Sequence, residues 1–176
     1  MKSRGKPNYR HSGEQITTRL GIVLAALLCF GPMSARAADT GQGGHSRHHV
    51  VLFLGAGVET KRGGENESAF AIGGEYEYRF HEKWGVGAAV EGLGRDTIRD
   101  AVFVVPISFH PFGGWRLFAG PGFEFTEHED KPLVRVGAGY TFHLHKHWSI
   151  SPEIVGDFVS GGAQTWLVGV AIGYGF

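Results

Sequence analysis

Cysteine is almost absent from this chain, and long apolar runs are absent from most of it. The only cysteine among its 176 residues is Cys29, so no internal disulfide can form. After residue 38, no apolar stretch reaches the roughly 20 residues that a transmembrane helix needs. These two absences exclude a disulfide scaffold and a bundle of transmembrane helices.

Basic residues are scarce beyond the N-terminus. Six of the 17 Lys and Arg residues, but only one of the 17 Asp and Glu residues, lie before residue 38. This leaves 11 basic against 16 acidic residues in the remainder, a net charge of about −5. Binding to nucleic acid requires a basic footprint, so we expect no nucleic-acid partner.

The N-terminus has the order of a secretory signal. A basic stretch precedes the apolar run LGIVLAALLCF from Leu20 to Phe30, and the small residues Ala35 and Ala37 follow it. This order is typical of a signal peptide with its cleavage site. We expect a signal peptide over residues 1–37 and a short periplasmic lead-in over residues 38–47. A buried N-terminal helix is the alternative, and the long basic stretch also allows a later translation start.

From residue 48 onward the sequence alternates with the two-residue period of β-strands. In the last segment, Trp166, Val168 and Val170 belong to an apolar series at even positions, and the odd positions hold mostly small residues. Eight segments pass this test, and their length of about ten residues suits a tilted strand that crosses a bilayer. They cover residues 49–59, 70–80, 84–91, 102–110, 115–125, 134–144, 148–158 and 166–176.

Alternation alone fits both a soluble β-sandwich and a membrane barrel. Three features favour the barrel: the export signal, aromatic residues at the ends of the apolar faces, and a chain end on Phe176. Only a closed barrel pairs every backbone group of a β-structure in lipid. We therefore predict one all-β domain over residues 48–176, an eight-stranded antiparallel up-and-down barrel whose apolar face meets lipid.

The connectors predict the orientation of this barrel. Tight connectors at residues 81–83, 112–114 and 145–147 alternate with mostly longer, polar ones. Trp84, Trp115 and Trp148 each follow a tight connector and predict an aromatic girdle on that side. In outer-membrane barrels the short turns are periplasmic, so we expect the N-terminus to be periplasmic too.

Repeated strand-turn-strand units resemble a known family. Glu75-Tyr76-Glu77-Tyr78-Arg79-Phe80 runs through a tight turn into Trp84, and Tyr140-Thr141-Phe142 runs into Trp148 in the same way. Residues 48–176 are thereby similar to the small eight-stranded outer-membrane barrels, such as the OmpA transmembrane domain, OmpX and OmpW. In contrast to OmpA, we expect no peptidoglycan-binding domain, and the predicted loops are shorter than is usual for adhesive members.

The resemblance implies a location and partners. It implies a monomer in the outer membrane of a Gram-negative bacterium, surrounded by outer-membrane lipid and lipopolysaccharide. It also implies insertion by the barrel-assembly machinery, with Trp166, Tyr174 and Phe176 as the signal in the last strand. A structural or interaction role in the cell envelope is the first hypothesis, and a narrow porin-like channel for small solutes is the second.

Charged residues on the inward face predict a network in the lumen. Arg116 and Arg135 are expected at its centre. An eight-stranded barrel is filled by its own side chains, so the network is expected to plug the lumen. Inward Gly and Ala residues leave space and keep a narrow conduit open as the alternative. The predicted network comprises Glu75, Glu77, Arg79, Glu91, Arg116, Glu124, Arg135, Glu153 and Asp157.

Metal binding and lipid A deacylation are two further hypotheses with less support in the sequence. His49, His110, His143 and His145 are weak candidates for Zn²⁺, Cu²⁺ or Ni²⁺, but they match no closed zinc pattern, and no cofactor is expected. Lipid A deacylases resemble this scaffold and use Ser, His and an acid near the outer face. Glu127, His128 and Ser160 lie on that side, and a lipid-modifying enzyme is the third hypothesis; we expect no enzymatic activity.

Overall fold

The computed structural model describes residues 46–60, 66–94, 98–126, 129–144 and 146–176. The expected signal peptide, and the lead-in before residue 46, lie outside them. Among the described residues, no helix is long and apolar enough to span a bilayer. The strands are β1 (His48–Thr60), β2 (Asn66–His81), β3 (Trp84–Gly94), β4 (Ile98–Val104), β5 (Ile107–Phe109), β6 (Trp115–Phe125), β7 (Asp130–Tyr140), β8 (Phe142–His143), β9 (Trp148–Val159) and β10 (Gln164–Gly175).

These segments form eight strands of one closed antiparallel barrel. β4 and β5 both pair with β3 and β6 in a constant register, and they are separated only at Pro106, which has no N–H to donate. β7 and β8 likewise follow one another along β9. β10 pairs with both β9 and β1, which closes the sheet. The expected barrel is thus confirmed.

Several strands are longer than the sequence pattern predicts. β2 begins at Asn66, β4 at Ile98 and β7 at Asp130, each about four residues earlier than expected. All three extensions lie at the end of the barrel whose connectors the sequence predicts to be longer, here called the long-loop end, and they make these connectors shorter than predicted. The apolar alternation shows only the stretch that faces outward with apolar side chains, whereas backbone pairing continues through the polar residues beyond it.

Burial alternates along the strands as the period of two predicts. In β10, Leu167 is fully buried and Val168 is 64% exposed, and the alternation continues to the chain end. Val90 departs from this pattern: its parity places it on the outer face, but it is only 3% exposed. Its direct cross-strand neighbours are Gly74 and Phe103, and opposed side chains lie close enough to cover one another.

The interior is more apolar than the sequence-based expectation of a charged inner face. Its apolar cluster includes Phe53, Leu93, Val102, Val104, Phe118, Leu133, Val155, Val159 and Leu167. Burying unpaired charge is costly, so apolar side chains rather than further charges occupy these inward positions.

The inward glycines do not leave open space. A Cβ at Gly55 or Gly169 would collide with the ring of Phe53, and one at Gly137 would collide with the ring of Phe118. The glycines therefore provide the room in which two large rings pack across the lumen. The expectation that inward Gly and Ala residues leave space for a conduit is wrong at these positions.

Aromatic rings surround the other end of the barrel, here called the short-turn end. Trp84 packs on Phe109 at 4.7 Å between ring centroids, Trp115 on Tyr140 at 5.4 Å, and Trp148 on Tyr174 at 5.1 Å. Each tryptophan is the first residue of a strand, and its aromatic partner lies at or near the last residue of a neighbouring strand. Because neighbouring strands are antiparallel, these two positions lie side by side. The three tryptophans of the expected girdle are thus at one level.

Candidate functional site

Arg135 is the centre of the first buried ion-pair group. It lies on β7 opposite Asp157 of β9, and its Nε and Nη2 donate to the two carboxylate oxygens of Asp157, both at 2.7 Å. Its Nη1 and Nη2 also donate to Glu91 of β3, the latter at 2.9 Å. Arg135 and Asp157 are only 3% and 2% exposed. One guanidinium thus holds two carboxylates, each by two hydrogen bonds, the strongest geometry for this pair.

Arg116 is the centre of the second group, nearer the short-turn end. It donates to Glu75 and, at 3.4 Å, to Glu153, and its Nε lies 3.1 Å from Glu77 Oε2 in an ion pair. Its Nε and Nη2 also donate to the hydroxyl of Ser108, at 3.3 and 3.2 Å. The guanidinium carbon lies 4.5 Å from the ring centroid of Phe118, on the same strand. Arg116 therefore links β2, β5 and β9 from its place on β6.

Glu77 connects this second group to the mouth of the barrel. Its Oε1 accepts hydrogen bonds from Arg79 Nε and from His110 Nε2, both at 3.0 Å. Because Arg116 also contacts Glu77, this carboxylate has three cationic or polar partners. The chain of contacts therefore continues from the interior to Arg79.

Little space lies between the two groups. A cavity of only about 10 Å³ is lined among others by Glu75, Glu91, Phe118 and Arg135. This is about the least volume that a cavity needs to hold one water molecule.

Several solved structures are similar to this chain, and two of them have TM-scores above 0.5. Neisserial surface protein A matches 76% of this chain and 100% of its own, with 9% identity and a TM-score of 0.53. The N-terminal β-barrel domain of Pseudomonas aeruginosa OprF matches 74% of this chain and 100% of its own, with 12% identity and a TM-score of 0.54. The chain has the fold of the small outer-membrane β-barrels. No protein-family model and no curated protein sequence matches it.

Most of the network predicted for this outer-membrane barrel fold comes together in the two groups. Arg116 gathers Glu75, Glu77 and Glu153, with Arg79 bound to Glu77, and Arg135 gathers Glu91 and Asp157. Glu124 is not in either group. It pairs with Lys131 in the β6–β7 ladder and is 9% exposed, and neither arginine donates to it.

Two contributors to the barrel's network were missed, Ser108 and Phe118. Both lie on inward positions by strand parity, so the sequence contained a signal for where they point. For Ser108 it contained no signal for the contact, because Arg116 reaches this hydroxyl from the neighbouring strand, whereas Phe118 follows Arg116 by two residues on the same face of β6.

The histidine candidates are dispersed. His49 Nε2 donates to the Ser46 carbonyl at 2.7 Å, His110 donates to Glu77, and His143 is exposed. His145 lies outside the described residues. Within the described ranges, no group of three or more His, Cys, Asp or Glu side chains is arranged to hold a metal ion. Of the deacylase candidates, Glu127 and His128 also lie outside the described residues, and Ser160 is an exposed turn residue.

The last strand of the barrel ends against the first. Phe176 N donates to the His48 carbonyl at 2.9 Å, and its ring stacks on the His48 ring at 5.6 Å. Tyr174 stacks on Phe176, and Trp166, at the far end of the strand, covers Gly156. The three residues of the expected assembly signal thus lie along the outer face of the closing strand.

Proposed function

We propose that this chain is an integral outer-membrane protein of a Gram-negative bacterium, with a structural or interaction role and a plugged lumen. The observation that carries the proposal is Arg135, which is bound to two carboxylates and fully enclosed by the barrel. A charge in such a place is stable only when it is paired. The same ion pairs that stabilise the wall therefore occupy the path that a solute would need.

The outer face supports the membrane location. Large apolar side chains such as Val168, Val134 and Leu52 are among its most exposed residues. A soluble protein rarely exposes a continuous apolar surface of this kind, whereas a lipid-facing barrel requires one. The connectors that the sequence predicts as tight lie at the same end as the start of β1, and short turns are periplasmic in such barrels. We therefore place the N-terminus in the periplasm.

The closing strand supports assembly by the barrel-assembly machinery. Trp166, Tyr174 and Phe176 present rings on the outer face of the strand that must pair last with β1. The surrounding partners are then outer-membrane lipid and lipopolysaccharide, and the barrel is a monomer, because its sheet has no free edge left for a second copy.

Cell fractionation tests the location. We expect the mature protein in the outer-membrane fraction, as a compact band on unheated SDS gels that shifts on boiling, since a closed barrel resists unzipping. A soluble periplasmic protein without this shift would contradict the proposal.

Planar-bilayer recording of refolded residues 38–176 tests the plug. We expect no stable single-channel steps. A steady ion-selective conductance would instead support the small-solute channel. Lipid A mass spectra from cells with and without the protein test the enzymatic hypothesis, and we expect identical spectra.

A further inference from the structure

A polar cavity of about 310 Å³ opens at the short-turn end of the barrel. We call it the mouth cavity; its lining includes Glu77, Arg79, Arg116, Lys146, Ser149 and Glu153. A second space of about 340 Å³ adjoins it and shares Arg79, Thr141 and His143. This volume is within the range of small-molecule sites, and the ion-pair group of Arg116 forms part of the cavity wall.

The carboxylates of the mouth cavity are already engaged. Glu77 accepts hydrogen bonds from Arg79 and His110 and forms an ion pair with Arg116 at 3.1 Å, and Glu153 accepts a hydrogen bond from Arg116 at 3.4 Å. Their oxygens are therefore committed to protein donors. A cationic ligand would have to compete with these arginines.

The donors of the mouth cavity are not all engaged. Arg79 has a side chain only 16% exposed, yet among the described residues only its Nε donates a hydrogen bond, and no group there accepts from its two Nη groups. Lys146 is exposed, and no carboxylate of the described chain pairs with its amine. The Ser149 hydroxyl has no hydrogen-bond partner in the same range. The cavity thus offers directed donors without matching acceptors.

We propose that the mouth cavity binds a phosphate group, with the two Nη groups of Arg79 as a fork and Lys146 as a second cation. A guanidinium edge matches two phosphate oxygens, and an amine can bind a third as a point charge. Three basic and two acidic side chains line the space, and Glu75 lies behind Arg116. Recognition therefore depends on donor geometry rather than on a large net charge.

The phosphate has two possible sources, a phospholipid headgroup of the adjacent leaflet or a soluble phosphorylated compound. Both present the same phosphate oxygens to Arg79, so separate experiments are needed to distinguish a lipid from a soluble ligand.

Refolded residues 38–176 in a phosphate-free maltoside detergent are titrated with inorganic phosphate, and binding is followed by NMR shifts of the Arg79 side chain and by calorimetry. We expect saturable binding to one site. Arg79→Gln and Lys146→Gln should each weaken it about tenfold, the effect of losing one charge-assisted hydrogen bond. Arg47→Gln is the matched control. It removes one positive charge at the same end of the barrel, but Arg47 does not line the cavity, so phosphate binding should be unchanged.

Short-chain phosphatidylglycerol in the micelles identifies the source. If phosphatidylglycerol displaces inorganic phosphate, as followed by the NMR signals of Arg79, the ligand is a lipid headgroup. If inorganic phosphate binds and phosphatidylglycerol does not displace it, the ligand is a soluble compound. The proposal is overturned if no saturation occurs below about 10 mM, or if Arg47→Gln weakens binding as much as Arg79→Gln. The boiling shift of each variant on gels verifies folding, and Lys146→Gln, in an exposed turn, remains decisive if Arg79→Gln fails to fold.

Discussion

Replacing Arg135 with methionine removes the cation that β3, β7 and β9 share. The substitution keeps a long flexible chain, so most of the volume remains filled. It deletes four hydrogen bonds and leaves Glu91 and Asp157 facing each other in a closed interior. The consequence is therefore electrostatic rather than a matter of packing.

The size of this effect follows from burial. Breaking a buried ion pair by removing one partner costs about 3–5 kcal/mol, because the other charge stays behind. Here two carboxylates stay behind, so we expect a loss in the free energy of unfolding near the upper end of that range.

Urea unfolding in lipid vesicles, followed by tryptophan fluorescence, measures this loss. Lys131→Met is the matched control on the same strand: its pair with Glu129 at 3.3 Å is exposed, and its loss should cost less than about 1 kcal/mol. The triple variant Arg135→Met, Glu91→Met, Asp157→Leu removes every charge of the group and should regain most of the lost stability. Equal, small losses for Arg135→Met and Lys131→Met would refute the reasoning and indicate a water-filled lumen.

Three further perturbations test the wall and the closing strand. Gly169→Ala should lower the free energy of unfolding by about 1–3 kcal/mol, because its Cβ would collide with the Leu54 carbonyl. Gly74→Ala should be close to neutral, because the nearest atom to its Cβ would be 3.8 Å away. A larger loss for Gly74→Ala than for Gly169→Ala in urea titrations would show that these residues face the wrong sides of the wall. Val170→Arg should cost about 2–4 kcal/mol in the same assay if the residue lies near the bilayer midplane, and a neutral result would contradict a lipid-facing position. Deleting Phe176 should reduce the outer-membrane yield on immunoblots with unchanged synthesis, and normal yield would remove it from the assembly signal.

Gly169 also shows where sequence reasoning was misleading. Strand parity placed this glycine on the lumen side, and a small residue there was interpreted as space. The same parity placed Phe53 on the lumen side of β1, but no local pattern indicates that its ring reaches the glycine on the neighbouring strand. Complementary sizes on different strands become visible only when the register is known.

Local sequence was sufficient for the wall of this barrel. A two-residue period and short turns are properties of neighbouring residues. They were enough to predict which residues of each strand face outward, the number of strands and the position of the tryptophans. The identity of the ion pairs is not such a property. Arg135 meets Asp157 on the adjacent strand but Glu91 on a strand that is its neighbour only across the lumen. Glu124, equally inward by parity, meets neither arginine, because strand order and stagger set its height in the barrel. Closure of the sheet brings distant strands to a common level, and therefore only the tertiary structure decided which charges neutralise each other.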